Sequence, residues 1–263
     1  MDITLGQGIG IAILAVILGI DFWLEGLFIF RPIIVSTLTG LILGDVQLGL
    51  VTGGLAELAF AGLTPAGGTQ PPNPVLAGVM TTVIAYSTGA DAKTALGLAL
   101  PFSILMQYII LFYYSFFSVF TQKMDRAAEE ADTKTIVKIN VLLTAIVALS
   151  YGIVVFLSAY VAQDAITNLV QSMPDWLTHG LEIAGGILPA IGFAMLLNTM
   201  FNIKLLPYLL IGFFLASFIE MNNLLPIAVV GFAMALYEYF RTRDLEDKLS
   251  SAGPKGDDFS DGI

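Results

Sequence analysis

Apolar residues run through this chain in long blocks that polar residues interrupt at only a few places. Such runs cover 104–120, 139–162, 183–201, 205–219 and 224–240, each approaching or exceeding the roughly 20 residues that cross a bilayer as a helix. The first block, GQGIGIAILAVILGIDFWLEGLFIF, has only Asp2 and no basic residue before it. It therefore reads as a retained membrane helix and not as a cleaved signal, which wants a positive start. Residues 32–44, PIIVSTLTGLILG, are 13 long and too short for a perpendicular span. GDVQLGL then turns the chain into 53–78, where Pro65, Pro71, Pro72 and Pro74 withdraw backbone donors and the pattern predicts broken backbone. From Val75 a helix is predicted to about Thr88, and after the polar corner STGADAK an apolar run resumes from Ala95 to Phe120.

Broken backbone in hydrocarbon is tolerated only where it is buried in protein or lines a polar cavity. Short Gly- and Pro-rich apolar pieces in succession are how discontinuous helices of transporters look. The stretch 53–78 is therefore the leading candidate for a functional element. The chain as a whole is 57% hydrophobic and 12% charged over 263 residues, with a mean hydropathy of +0.85. Soluble domains average roughly 45–50% apolar and 25% charged residues. The fold class expected is an all-α integral membrane protein, a polytopic helical bundle with re-entrant helices. Inverted repeats are also expected, because GLAELAFAGLTPAGG is echoed faintly by GLEIAGGILPAIG.

Charge divides this pattern into parts. Residues 1–120 form an N-terminal membrane half and 121–138, TQKMDRAAEEADTKTIVK, a charged connector with helix-favouring composition. Residues 139–240 form a C-terminal membrane half, and 241–263 a polar, acidic tail expected to be disordered. Lys123, Arg126, Lys134 and Lys138 place the connector on the cytoplasmic side, and Arg241, Arg243, Lys248 and Lys255 place the tail there too. The loop 163–180 has no Lys or Arg and is assigned outside. A net charge of −10 argues against nucleic acid as a partner.

Candidate chemistry is sparse. There is no cysteine, so no thiolate ligand, disulfide or phosphocysteine. No nucleotide fingerprint or paired-histidine metal motif occurs, and no catalytic residue, cofactor or metal is expected. His179, the one histidine, falls in the outside loop. Glu57 is the most informative ionisable residue: at membrane depth a carboxylate marks a site or pathway, and at a helix end it faces headgroups. Gln70 and Asn73 carry amides suited to hydroxyl-rich ligands, and they suit surface turns equally. Arg31 reads either as an interfacial snorkelling residue or as the partner of a buried acid beside a transport path. Tyr108, Phe112, Tyr113, Tyr114, Phe116 and Phe117 read as an interfacial belt or packing face ahead of a sugar-stacking platform.

With the FRP at Phe30 to Pro32, TLTGLILGD at Thr37 to Asp45, GGxxE at Gly53 to Glu57 and LEIAGGILPAIGFAM at Leu181 to Met195, the chain resembles the IIC membrane component of the mannose/fructose/sorbose family of bacterial phosphotransferase systems. GLTPAGGTQPPNP followed by MTTVIAYSTGADAKTA is most similar to the N-acetylgalactosamine/galactosamine branch. The resemblance implies a subunit of the cytoplasmic (inner) membrane that binds an amino sugar or another hexose. It implies movement by an elevator-like shift and a IID membrane partner, in a higher-order oligomer of the IIC–IID pair. Soluble IIA and phospho-IIB would carry the phosphate, so that this subunit is not itself an enzyme. Carried over residue by residue, the sugar site implied is Glu57, Thr69, Gln70 and Asn73, the last standing where mannose-type members have Asp. Two other readings stay open: an ion-coupled sugar symporter with Glu57 or Asp21 as the ion site, and a scaffold or receptor subunit that does not transport.

Overall fold

The computed structural model describes residues 2–62, 71–219 and 225–251, the side chains of 247–251 excepted. The described residues form eleven α-helices. In chain order these are α1 (Leu5–Leu24), α2 (Pro32–Leu43), α3 (Val46–Phe60), α4 (Pro74–Thr88), α5 (Ala92–Phe117), α6 (Thr121–Glu129), α7 (Thr133–Phe156), α8 (Gln163–Gln171), α9 (Asp175–Met200), α10 (Leu206–Phe218) and α11 (Leu225–Ser251). The stretches Leu5–Leu24, Ala92–Glu129, Thr133–Val161 and Asp175–Met200 are long and apolar enough to cross a membrane. Contacts divide the chain into one compact unit, 1–199, and a second, 200–263.

In the first unit the starts and stops follow local chemistry. Thr4 and Gln7 form a reciprocal capping box at the head of α1, satisfying two otherwise orphaned donors. Asp45 caps α3 at Leu48, Asn73 caps α4 at Leu76 and Asp132 caps α7 at Thr135. Gly44 ends α2 in the left-handed region at φ 87°, and Gly89 ends α4 at φ 72°.

The short helices α2, α3 and α4 have 12, 15 and 15 residues. At about 1.5 Å per residue none reaches across a hydrocarbon core of about 30 Å. They lie instead against one another. A Cβ on Gly49 would lie 2.5 Å from the Ser36 carbonyl oxygen, so α2 and α3 touch backbone to backbone. α4 is the centre: every residue from Val75 to Ala85 is buried, and α2, α3, α5 and α8 surround it. This explains why α4 carries an apolar run without an amphipathic stripe. Its buried hydroxyls are bonded internally, Thr82 meeting Thr52 at 2.9 Å and Thr81 donating to the Ala77 carbonyl at 2.6 Å, and Ser36 of α2 donates to the Gly78 carbonyl at 3.0 Å.

The break expected over 53–78 is narrower in the structure. α3 runs through Gly53, Gly54 and Glu57 to Phe60, and helix resumes at Pro74. The reason is that Gly53 serves close packing against Ile33 and Ser36, which a helix accommodates. Residues 63–70 lie outside the described residues.

α7 follows the connector yet packs along α1, the first helix of the chain. Small residues allow this: the Tyr151 ring fills the space beside Gly19, Tyr160 that beside Gly8 and Val16 that beside Gly152. Trp23 stacks on Tyr114 with centroids 5.6 Å apart, so the aromatic run packs on α1 while Tyr108 and Phe112 stay exposed.

In the second unit, Tyr208 of α10 donates to Glu238 of α11 at 3.1 Å. α11 continues to Ser251, beyond the boundary at 240 where a disordered tail was expected. FRTRDLEDKLSS contains no Gly or Pro and several strong helix formers, so nothing local ends the helix there.

Candidate functional site

Glu57 lies in the last turn of α3, facing the start of α2. Arg31 donates to Glu57 Oε1 through Nε at 2.7 Å and through a second guanidinium nitrogen, and the Ile33 backbone N–H donates to Oε2 at 3.2 Å. Both side chains are partly accessible, Arg31 by 38% and Glu57 by 23%. The carboxylate is thus matched by a guanidinium and by the positive end of α2. Arg31 pairs with an acid, but with a partly accessible one and not with the buried acid of the second reading. That acid is Glu57, 26 residues away, and neither of the nearer Asp21 and Glu25.

Asp21 has a different task. Buried at 6% exposure, it accepts from the backbone N–H groups of Leu27 at 2.6 Å, Ile29 at 2.7 Å and Phe30 at 3.3 Å. It ties down a loop in which Glu25 and Phe28 sit at φ 48° and 58°. That loop delivers Arg31 to Glu57.

Asn73 ends the broken segment and is fully buried. Its N–H donates to the Ser103 carbonyl at 3.1 Å, and the Ser103 hydroxyl donates to its carbonyl at 2.6 Å. Its Oδ1 accepts from Leu76 N–H at 3.1 Å, and its Nδ2 donates to the Tyr151 hydroxyl. Of the four residues implied by resemblance, Glu57 and Asn73 are therefore described, each held by its own set of partners. Thr69 and Gln70 lie outside the described residues. Ser103 and Tyr151 were not singled out in the sequence. They sit 30 and 78 residues from Asn73 on other helices, and no local spacing points to either.

The LEIAGGILPAIGFAM motif reaches the same region. α9 crosses the end of α3 so closely that a Cβ on Gly192 would lie 2.4 Å from the Leu58 carbonyl oxygen. One on Gly62 would lie 2.0 Å from the Gly192 carbonyl oxygen. Leu188 adds to a small apolar cluster of Ala56, Ala59, Phe60, Ala77 and Leu96. The region therefore combines a compensated carboxylate, a fixed amide and closely packed small residues. Among the described residues no cluster of metal-ligating side chains occurs. His179 is exposed in the first turns of α9, where a loop was expected, and its Nδ1 lies 3.5 Å from Glu182 of the same helix.

A family model described as the PTS system sorbose-specific IIC component matches residues 5–237. The chain is 57% identical over 265 residues to N-acetylgalactosamine permease IIC component 1 of Escherichia coli (strain K12), covering 100% of this chain and 99% of that protein. It is 31% identical over 237 residues to the PTS system sorbose-specific EIIC component of Klebsiella pneumoniae, covering 90% and 89% of the two chains. A solved structure described as "Structure of membrane protein" superposes with a TM-score of 0.81 at 28% identity, over 90% of this chain and 96% of that one. The cryoEM structure of the mannose transporter ManYZ with microcin E492 (MceA) superposes with a TM-score of 0.58 at 29% identity, over 91% and 96%.

Proposed function

This chain belongs to the sorbose-type IIC family of the phosphotransferase system, and on that footing we propose that it binds and translocates an amino sugar, N-acetylgalactosamine or galactosamine. The observation that carries the choice of sugar is the 57% identity to an N-acetylgalactosamine permease component along the whole chain. It is a multi-pass permease subunit and not a catalyst. The sugar is phosphorylated by a phospho-IIB partner, itself charged by IIA. In the membrane the chain pairs with a IID subunit, and the pair assembles into a higher-order oligomer. A mannose transporter of two named components among the structural relatives supports that pairing.

The proposed sugar-binding residues are Glu57, Thr69, Gln70 and Asn73. The chain resides in the bacterial inner membrane with the connector 121–138 and the C-terminus in the cytoplasm, as the basic residues of both segments indicate. Translocation is an elevator-like movement of a core that includes the sugar-binding segment.

The compensation of Glu57 by Arg31, and of Asp21 by three backbone N–H donors, speaks against the ion-coupled alternative with either acid as its site, because a proton or sodium site needs a carboxylate free to take up its ion. The test is uptake and binding with the co-purified IIC–IID complex in vesicles. N-acetylgalactosamine should bind ahead of mannose and fructose, and accumulation should require a phosphoryl donor with phospho-IIB. Uptake that follows an ion gradient without the donor overturns the proposal, and a complex that assembles but binds no sugar points to the scaffold reading.

A further inference from the structure

Asp2 precedes α1, Ser87 stands in the last turn of α4, and Gln163, Asp164, Thr167 and Asn168 lie along α8. Together these residues line a cleft of about 240 Å³. Gln163 fastens the N-terminal segment to α8: its Oε1 accepts from the Ile3 N–H at 2.9 Å, and its Nε2 donates to the Ile3 carbonyl at 3.3 Å. Asp2 is thereby held at the cleft. Among the described residues the lining is polar throughout, with two carboxylates and no cation.

Among the described residues, the side chains of Asp2, Asp164, Thr167 and Asn168 form no hydrogen bond or ion pair with the protein. Asp164 lies in the first turn of α8 and Asp2 just ahead of α1, so the positive ends of two helices lower the cost of two carboxylates in one cleft. Their acceptor positions stay free. At Ser87 the carbonyl end of α4 adds negative partial charge. The set therefore favours a positively charged donor, while the Thr167 hydroxyl and the Asn168 amide both donate and accept, as sugar hydroxyls do. Size narrows the ligand further. A bare cation would leave most of the cleft to water, and the volume falls just below the roughly 300–1,000 Å³ of pockets for drug-sized ligands, which suits a single monosaccharide.

We propose that this cleft is a second saccharide site, which captures an amino sugar bearing a free, protonated amine. It rests on the reading of the chain as an amino-sugar permease and narrows it. Asp2 and Asp164 receive the ammonium, and Thr167 and Asn168 receive ring hydroxyls. Galactosamine matches all four, whereas the acetamide of N-acetylgalactosamine brings no charge to the carboxylates. α8 falls within 163–180, the stretch without Lys or Arg that is assigned outside, so the sugar is met on its way in. Ser87 and the Asn73 cap stand at opposite ends of α4, roughly 20 Å apart at about 1.5 Å per residue, which keeps the cleft separate from the segment before α4.

The chain has no cysteine, so Asn168→Cys places a unique thiol in it at the cleft. Alkylation of that thiol is followed by mass spectrometry of this chain in the full IIC–IID complex, with galactosamine and N-acetylgalactosamine as probes. Galactosamine should protect at a concentration about tenfold lower than N-acetylgalactosamine, as a charge-assisted hydrogen bond predicts. Asp2→Asn with Asp164→Asn should abolish that difference. Ser87→Cys, on the α4 side of the cleft, repeats the measurement with the Asn168 amide intact. No protection at either thiol, in a complex whose wild type binds an amino sugar by calorimetry, overturns this site and leaves the sugar reading intact. Equal protection by the two sugars overturns the ammonium recognition, and protection by magnesium or calcium chloride alone overturns the saccharide in favour of a cation. Wild-type complex that binds no amino sugar overturns the sugar reading and this site together.

Discussion

Arg31 donates to Glu57 across the hairpin of α2 and α3, and the Ile33 N–H closes the other oxygen of the same carboxylate. A charge that would be costly in a hydrocarbon surrounding is thereby matched at the head of a helix.

Arg31→Ala leaves Glu57 with one backbone donor. Because the pair is partly accessible, the expected loss is modest, about 1 kcal/mol, and appears as a lower melting temperature of the detergent-solubilised complex. Adding Glu57→Gln should recover part of it, since a neutral amide no longer needs the guanidinium. An additive further loss would show that the two residues act separately.

Asp21→Ala removes the acceptor of three backbone donors in a loop that already holds two non-glycine residues at positive φ. The expected destabilisation is about 2–4 kcal/mol, and amide hydrogen exchange should rise selectively at Leu27, Ile29 and Phe30. Unchanged exchange at those three amides would contradict the tether.

Gly185→Val and Gly192→Val each place a side chain where α9 touches backbone. A Cβ at Gly185 would already lie 2.0 Å from the Lys93 carbonyl oxygen. Both variants should displace α9, lowering the yield of folded complex and its melting temperature. Gly212→Ala, where nothing stands within 4 Å, serves as the control and should melt as wild type.

Asp132 at the head of α7 is held below the ordinary carboxyl value, first by the Thr135 hydroxyl and then by the Thr135 N–H. A lowered folded value means that its stabilisation is fully present above the unfolded value of 3.8 and is lost as pH falls through the lower, folded one. Asp132→Asn should therefore lower the melting temperature at pH 7, where the charge acts, and flatten the acid limb of the profile, converging with the wild type below about pH 4. An unchanged acid limb would remove Asp132 from that role.

Much of the helical layout was legible from local chemistry. The Asn73-Pro74 pair announces the start of α4, because proline is favoured at the first helical position and asparagine before it as the cap. Pro71 and Pro72 stand outside helix just before it, while the glycines expected in the break, Gly53 and Gly54, lie inside α3. The use of Gly53 emerged only against α2, because a glycine in a close helix contact and a glycine in a loop look alike in one dimension.

What the sequence by itself determined is membrane residence, helical class, the start of α4 at Asn73-Pro74, and the residue types available for chemistry. These depend on composition and on neighbours a few residues apart. Only the tertiary structure decided that Glu57 belongs to Arg31, that Asn73 belongs to Ser103 and Tyr151, and that α7 lies along α1. The physical reason is that apolar helices carry little amphipathic signal, so their register is chosen by backbone approach at glycines such as Gly40, Gly49 and Gly192. That approach exists only once the helices have packed.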